Sequence, residues 1–239
     1  MLTLLIALIS ALSLGYLSWM LVGSALLSSV IGVLAIVGIN FFAGRFIMKK
    51  ISALMADVEK DLKAERYELA VDKLKKGYSF SKWQLFVKKQ INANIGSIRY
   101  MQKKFDEALP YLKNSFIKSW MSMCMLAAYY YKKQNYVETY KVMEKVISAN
   151  SKEPFPYSLY AWFLTERADI DKAIKVLTRG AAKLPLDEKL SSELIAVKNR
   201  KKLKIQNYGA LWMQLHLGKL PDGVRPYQIF AANQRVKRR

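Results

Sequence analysis

The sequence predicts an all-α protein: a two-helix transmembrane hairpin followed by a solenoid of helical hairpins. Three observations carry that prediction. Residues 1–44 hold no charged side chain, and the first charge in the chain is Arg45. The remainder repeats one apolar pattern of helical period four times. No segment reads as a convincing strand, and no glycine-rich phosphate loop is present. The expected division is 1–44 for the hairpin, 45–202 for the repeats with a closing helix, and 203–239 for an amphipathic helix and a basic tail.

The head comes first. A spanning helix needs about 20 apolar residues to cross a hydrocarbon core of about 30 Å. A single helix over the whole head would measure about 66 Å, twice what the core can hide. Two spans, near 2–20 and 25–43, fit better, with the turn at Val22-Gly23-Ser24 and Trp19 at an interfacial position. Each span carries small residues four apart: Ala7, Ala11 and Gly15 in the first, Ser24, Ser28 and Gly32 in the second. That spacing keeps each trio on one helix face, where two helices can approach closely in lipid. No Lys or Arg precedes Arg45 and the apolar run is long, so the head does not read as a cleaved signal peptide. Arg45, Lys49 and Lys50 follow the second span and favour the cytoplasmic side. The expectation is a multi-pass protein of a bacterial inner membrane, with both termini and the body in the cytoplasm.

Four segments of the body align, beginning at Glu65, Lys103, Gln134 and Ala168. Their first anchors are Tyr67, Phe105, Tyr136 and Ile170, at steps of 38, 31 and 34 residues. Three positions later come Ala70, Ala108, Thr139 and Ala173, and four further on Leu74, Leu112, Met143 and Leu177. The spacing i, i+3, i+7 is one face of a helix. A helical stretch precedes units two to four, over 85–101, 121–132 and 156–167, so the body reads as a series of helix pairs. The stretch from Gly44 to Glu65 holds no proline and only its opening glycine. The second span is therefore able to run on as one helix into the first repeat.

This pattern resembles the tetratricopeptide repeat family, whose unit is about 34 residues. Gly96, Ala127 and Ala161 match the family's small residue in the first helix of a pair, and Ala70, Ala108 and Ala173 match the one at the close helix contact. Pro185 matches the terminal proline in the fourth unit, whereas Thr139 replaces the alanine. The resemblance spans roughly 51–199 and implies a TPR-like solenoid in which the first helix of each pair lines an inner surface. The implied lining is Ser97, Tyr100 and Met101, then Cys124, Ala128 and Tyr131, then Ser158, Trp162 and Thr165. A protein or peptide partner is the implied occupant, anchored on aromatic and methionine side chains. The competing reading places Tyr100, Tyr131 and Trp162 between helices as core. The Lys, Asn and Arg positions with which some family members hold an acidic tail fall here mostly on uncharged residues, Asn94 alone matching.

Residues 187–202 read as a closing helix, apolar at Leu190, Leu194 and Val197. A basic patch is expected from Lys198, Arg200, Lys201, Lys202 and Lys204 together with Arg235, Lys237, Arg238 and Arg239. It could meet phosphates of lipid or nucleic acid, or be a solvated helix face and tail. Tyr208, Leu211, Trp212 and Leu215 follow helical spacing and suit either docking on the last repeat or a place in the membrane interface, docking being favoured; Leu220 to Pro226 reads as a turn.

The chemistry-bearing residues are sparse. Cys124 is the one cysteine and His216 the one histidine, which excludes an internal disulfide framework and a Cys-cluster zinc site. Cys124 reads as a buried small residue, His216 as a surface or packing residue, and Asp106-Glu107 as helix capping rather than acid–base machinery. No cofactor or metal is implied. The expected function is a non-enzymatic, membrane-anchored TPR-like scaffold that recruits or organises a protein partner at the cytoplasmic face, with anionic headgroups close by. With 39 Lys plus Arg against 18 Asp plus Glu, a net charge of +21, nucleic acid or ribosome binding is the second reading, and it is not the favoured one.

Overall fold

The computed structural model describes residues 2–84 and 86–218. Arg235, Lys237, Arg238 and Arg239, and the turn expected over 220–226, lie outside the described residues. Among the described residues all regular structure is helical, in eleven α-helices and two 3₁₀ turns, with no strand. The chain divides into two compact units, Met1–Ile91 and Asn92–Arg239.

In the first unit α1 (Leu2–Val22) and α2 (Ala25–Lys63) form an antiparallel pair through Gly23, whose φ of +68° is the left-handed conformation that glycine adopts without strain. Their small residues face one another. Ala7 and Ala11 are buried, a Cβ on Gly32 would sit 3.4 Å from the Ala11 carbonyl oxygen, and one on Gly15 would sit 3.6 Å from that of Ser28. The large apolar side chains point outwards instead, with Leu21 85% and Leu26 82% exposed. By length and composition, α2 is one helix able to cross a membrane, with a mean hydropathy of 2.3 over its most apolar 18 residues.

The helix does not stop where its apolar half ends. It continues to Lys63, and its last turns bury Val58, Asp61 and Leu62 against α3 (Tyr67–Lys76), which contributes Ala70, Val71 and Leu74. Asp61 is 2% exposed and is paired with Arg66 at 3.1 Å and Lys73 at 2.5 Å. This packing explains why the compact units meet at Ile91/Asn92, whereas the sequence suggests a division after residue 44. A 3₁₀ turn, Gly77–Lys82, follows, and Gly77 sits so near Leu54 that a Cβ would lie 2.8 Å from it.

Helix α4 (Val87–Met101) contains the unit boundary. The second unit continues with α5 (Phe105–Lys113), α6 (Trp120–Lys132), α7 (Tyr136–Ala149), α8 (Pro154–Thr165), α9 (Ile170–Lys183), α10 (Glu188–Lys198) and the one-turn α11 (Ala210–Met213). Helix α6 packs on α7, α8 on α9, and α9 on α10, while α5 touches α6 and α7 touches α8. Gly96 lets α4 approach α5, where Leu112 would lie 2.8 Å from an added Cβ. Gly180 does the same for α9 against the Tyr157 ring of α8, at 2.9 Å.

One turn geometry recurs along the chain. Glu65, Lys103, Gln134, Ala168 and Arg200 all have φ between 54° and 64°, at steps of 38, 31, 34 and 32 residues. After each, the next N–H donates to the carbonyl five residues back: Arg66 to Asp61, Lys104 to Arg99, Asn135 to Tyr130, Asp169 to Leu164 and Lys201 to Ala196. This is a Schellman closure, which satisfies the carbonyls that a helix end leaves unpaired. The following helix then starts within about two residues, aided at α7 and α9 by the side chains of Asn135 and Asp169, which accept from Glu138 N and Lys172 N. The fifth closure, at Arg200, has no full helix after it. The chain runs without regular structure over 201–204, makes a 3₁₀ turn at Ile205–Tyr208, passes Gly209 at φ +53°, and enters α11.

Candidate functional site

Helices α4, α6 and α8 are the first members of their pairs in the second unit. Ser97 of α4 and Ser122 of α6 share a hydrogen bond of 2.9 Å, and Ser122 also donates to the Ala93 carbonyl at 3.2 Å. These bonds satisfy two hydroxyls that would be costly to bury alone.

Most of the expected groove residues are buried in this structure. Tyr100, Cys124, Ala128 and Ser158 are wholly buried, and Met101 and Ser97 nearly so. They pack between helices and under a covering segment, so their side chains offer no open surface. Burial also pushes the Cys124 thiol and the Tyr100 hydroxyl well above their ordinary ranges. Tyr131, Trp162 and Thr165 alone among the nine remain part-exposed. Tyr131 lies 5.6 Å from Trp162 and 4.6 Å from Phe163 between ring centroids, and stacks edge-on with Tyr136 at 5.6 Å.

The covering segment is the chain's own, Ile205 to His216. Tyr208 packs on Phe155 of α8 at 5.0 Å and its Oη lies 2.8 Å from Ser158 Oγ. Trp212 meets Trp162 edge-on at 4.8 Å. The Leu215 carbonyl accepts from the Tyr100 hydroxyl of α4 at 2.9 Å, and the His216 ring sits 5.9 Å from Phe105 of α5. The sequence reading favours docking on the last repeat, and the segment does pack on α8 there. It also reaches beyond that repeat to α4 and α5, because its three ring-bearing contacts and its one captured carbonyl are spread over twelve residues of partly irregular backbone.

Two groups here, Glu193 and Lys132, were not singled out from sequence. Glu193 of α10 hydrogen-bonds Ser158 beneath Tyr208, and burial pushes its carboxyl up to about 7. Lys189 Nζ lies 4.9 Å above the Tyr208 ring. At the other end Lys132 Nζ lies 4.1 Å over the Phe105 ring, and burial together with Lys103 brings it down to about 8. The signal for Glu193 was present: it stands three residues after Leu190 and four before Val197, on the apolar side of α10. His216, read as a surface or packing residue, is held down to about 4 by burial and then by Lys132 and Lys103.

Lys198, Arg200, Lys201, Lys202 and Lys204 are all exposed, around the end of α10. They do not form a uniform cationic surface. Lys198 and Arg200 share a cleft of about 480 Å³ with Asp169 and Asp171 at the start of α9. Among the described residues no group of three or more His, Cys, Asp or Glu is placed to hold a metal ion. Comparison with protein-family models, with curated protein sequences and with solved structures finds no match.

Proposed function

We propose that this chain is a non-enzymatic, membrane-anchored scaffold. In this reading α1 and α2 cross the bilayer as a hairpin, and a TPR-like stack of helix pairs recruits or organises a protein partner at the cytoplasmic face of a bacterial inner membrane. The observation that carries it is α2. Over its first half this helix exposes Leu26, Leu27, Val30, Val37, Phe41 and Phe42, side chains that water would not favour in one continuous surface. Over its last turns it is the opening member of the first helix–turn–helix. Anchor and repeat are thus one element. Arg45, Lys49 and Lys50 sit where the apolar half ends, which supports placing that end beside anionic cytoplasmic headgroups.

The recurring Schellman turn supports the repeat reading, since each lone helix pair leaves an apolar face for its neighbour to cover. The exposed cluster at 198–204 favours a second reading, in which the basic body meets nucleic acid, a ribosome or lipid phosphate.

Two measurements test the proposal. The full chain is expected to stay with membranes in high salt and at alkaline pH and to leave them only with detergent. Cross-linked capture from those membranes is expected to retain a partner with wild type and with Lys201→Ala/Lys202→Ala, and to lose it with Tyr131→Ala/Trp162→Ala of unchanged helical content. Release from the membrane by salt alone refutes the anchor. Capture that survives the aromatic variant but collapses at raised salt refutes the groove and favours the phosphate reading.

A further inference from the structure

Helices α5 and α6, α6 and α7, α7 and α8, and α8 and α9 are in direct contact. The C-terminal segment lies on top of that assembly. It buries Ile205 and Leu215 completely and Trp212 to 6% exposure, although its only regular structure is a 3₁₀ turn and a single helical turn. Side chains and one main-chain carbonyl hold it, as they would hold a bound peptide.

The recognition chemistry beneath it is specific. Phe155 meets an aromatic ring, and Ser158, backed by Glu193, meets that ring's hydroxyl. Trp162, stacked on Tyr131, meets a second ring. The fully buried Tyr100 hydroxyl donates to a main-chain oxygen. A hydroxyl donor in such surroundings is costly to leave empty-handed, and the segment supplies its acceptor.

We propose that the face built by α4, α6 and α8 is a peptide-binding face, that residues 205–216 are its resident intramolecular ligand, and that the recruited partner displaces them with a segment of the same chemistry. That chemistry is a tyrosine, a tryptophan four residues later and a leucine three beyond it, with a main-chain carbonyl left free for Tyr100. The inference rests on the scaffold reading and adds the partner's form. Tethering gives the segment an effective concentration of order millimolar, so it shields the face until a better or more abundant segment competes. A face open only a small fraction of the time binds an outside segment more weakly by that fraction.

The test uses the full chain in detergent micelles and a fluorescein-labelled synthetic peptide of residues 204–218, followed by fluorescence polarisation. Wild type is expected to bind the peptide weakly. Trp212→Ala, which loosens the resident segment and leaves the face whole, is expected to bind it at least about tenfold more tightly. Tyr208→Phe, the milder variant, keeps the ring and is expected to give a gain of about threefold. Adding Trp162→Ala to Trp212→Ala is expected to abolish the gain. Equal peptide affinity in wild type and both loosened variants overturns the inference. Loss of helical signal in Trp212→Ala also overturns it, because a segment the fold requires is not a displaceable ligand. A wild-type dimer that the peptide converts to monomers overturns the intramolecular assignment by seating a second copy's segment on the face. The scaffold reading fails separately, if peptide binds as expected while membrane capture shows no dependence on Tyr131 and Trp162.

Discussion

Replacing Gly96 with alanine is expected to destabilise the second unit, against the usual preference of helices. A Cβ at Gly96 would lie 2.8 Å from Leu112 Cδ2, 3.0 Å from its Cγ and 3.1 Å from its backbone nitrogen. Ordinary carbon contacts are about 3.5–4.0 Å, so α4 and α5 have to part by about 0.7 Å or Leu112 has to leave its rotamer. Leu112 is fully buried and has nowhere easy to go. Overpacking of this kind costs about 1–3 kcal/mol, while alanine recovers about 1 kcal/mol over glycine in a helix interior. The net expectation is a loss of about 1 kcal/mol, or about 2–4 °C in melting temperature for a unit of this size. The diagnostic experiment repeats the substitution in a Leu112→Ala background. That change alone costs about 2–5 kcal/mol through the cavity it leaves. It also removes the two closest atoms but leaves the backbone nitrogen at 3.1 Å, so Gly96→Ala is then expected to be about neutral. The coupling between the sites is therefore about 1 kcal/mol. Thermal melting of the full chain in mild detergent, followed by helical circular dichroism, measures all four corners. Stabilisation by the same amount in both backgrounds would refute the α4–α5 contact and the helix pairing drawn from it.

Further expectations concern the turns and the titrating groups. At the left-handed Gln134, with φ at 58°, glycine is expected to raise stability by up to about 1 kcal/mol in urea unfolding, whereas Asn135→Ala, which deletes the cap on Glu138 N, lowers it by about 1 kcal/mol. Glu193 keeps its proton up to about pH 7 in the folded chain but releases it near about 4.3 when unfolded, so it makes stability fall as pH rises between those values. Glu193→Gln is expected to remove that fall, and a wild-type-minus-variant difference that is constant from pH 4 to 8 refutes it. His216 acts in the opposite sense: held down to about 4 against about 6.5 unfolded, it costs stability as pH drops through that window, and His216→Asn is expected to flatten the acid limb of the melting profile.

Much of the helical layout was legible because each helix advertises its period. Tyr67, Ala70 and Leu74 recur as Phe105, Ala108 and Leu112, and the observed helices begin at those first anchors. The small residues of the head were legible for the same reason, since a spacing of four lines them up on one side. The groove was harder. Tyr100 and Ser158 occupy the expected face, but whether a face stays open depends on what else in the chain covers it, and no local period encodes a contact 115 residues away. The covering segment mixes two kinds of turn around Gly209, so Tyr208, Leu211, Trp212 and Leu215 read as one helix that the backbone does not form.

The unbroken α2 has a consequence for torque. An α-helix turns about 100° and rises about 1.5 Å per residue, so a rigid rod of this kind fixes not only the distance but the angular phase between its two ends. Without a glycine or proline between Arg45 and Lys63, any rotation of the apolar half about its own axis is delivered to Val58, Asp61 and Leu62, and through them to α3. Inserting one alanine after Lys49 would swing the α3-bearing face by about 100° relative to the small-residue seam, four would leave it about 40° out, and seven would bring it back to within about 20°. The helix thus couples the two ends like a keyed shaft, and the register of that key is set by the count of residues between Gly32 and Val58 rather than by their identity.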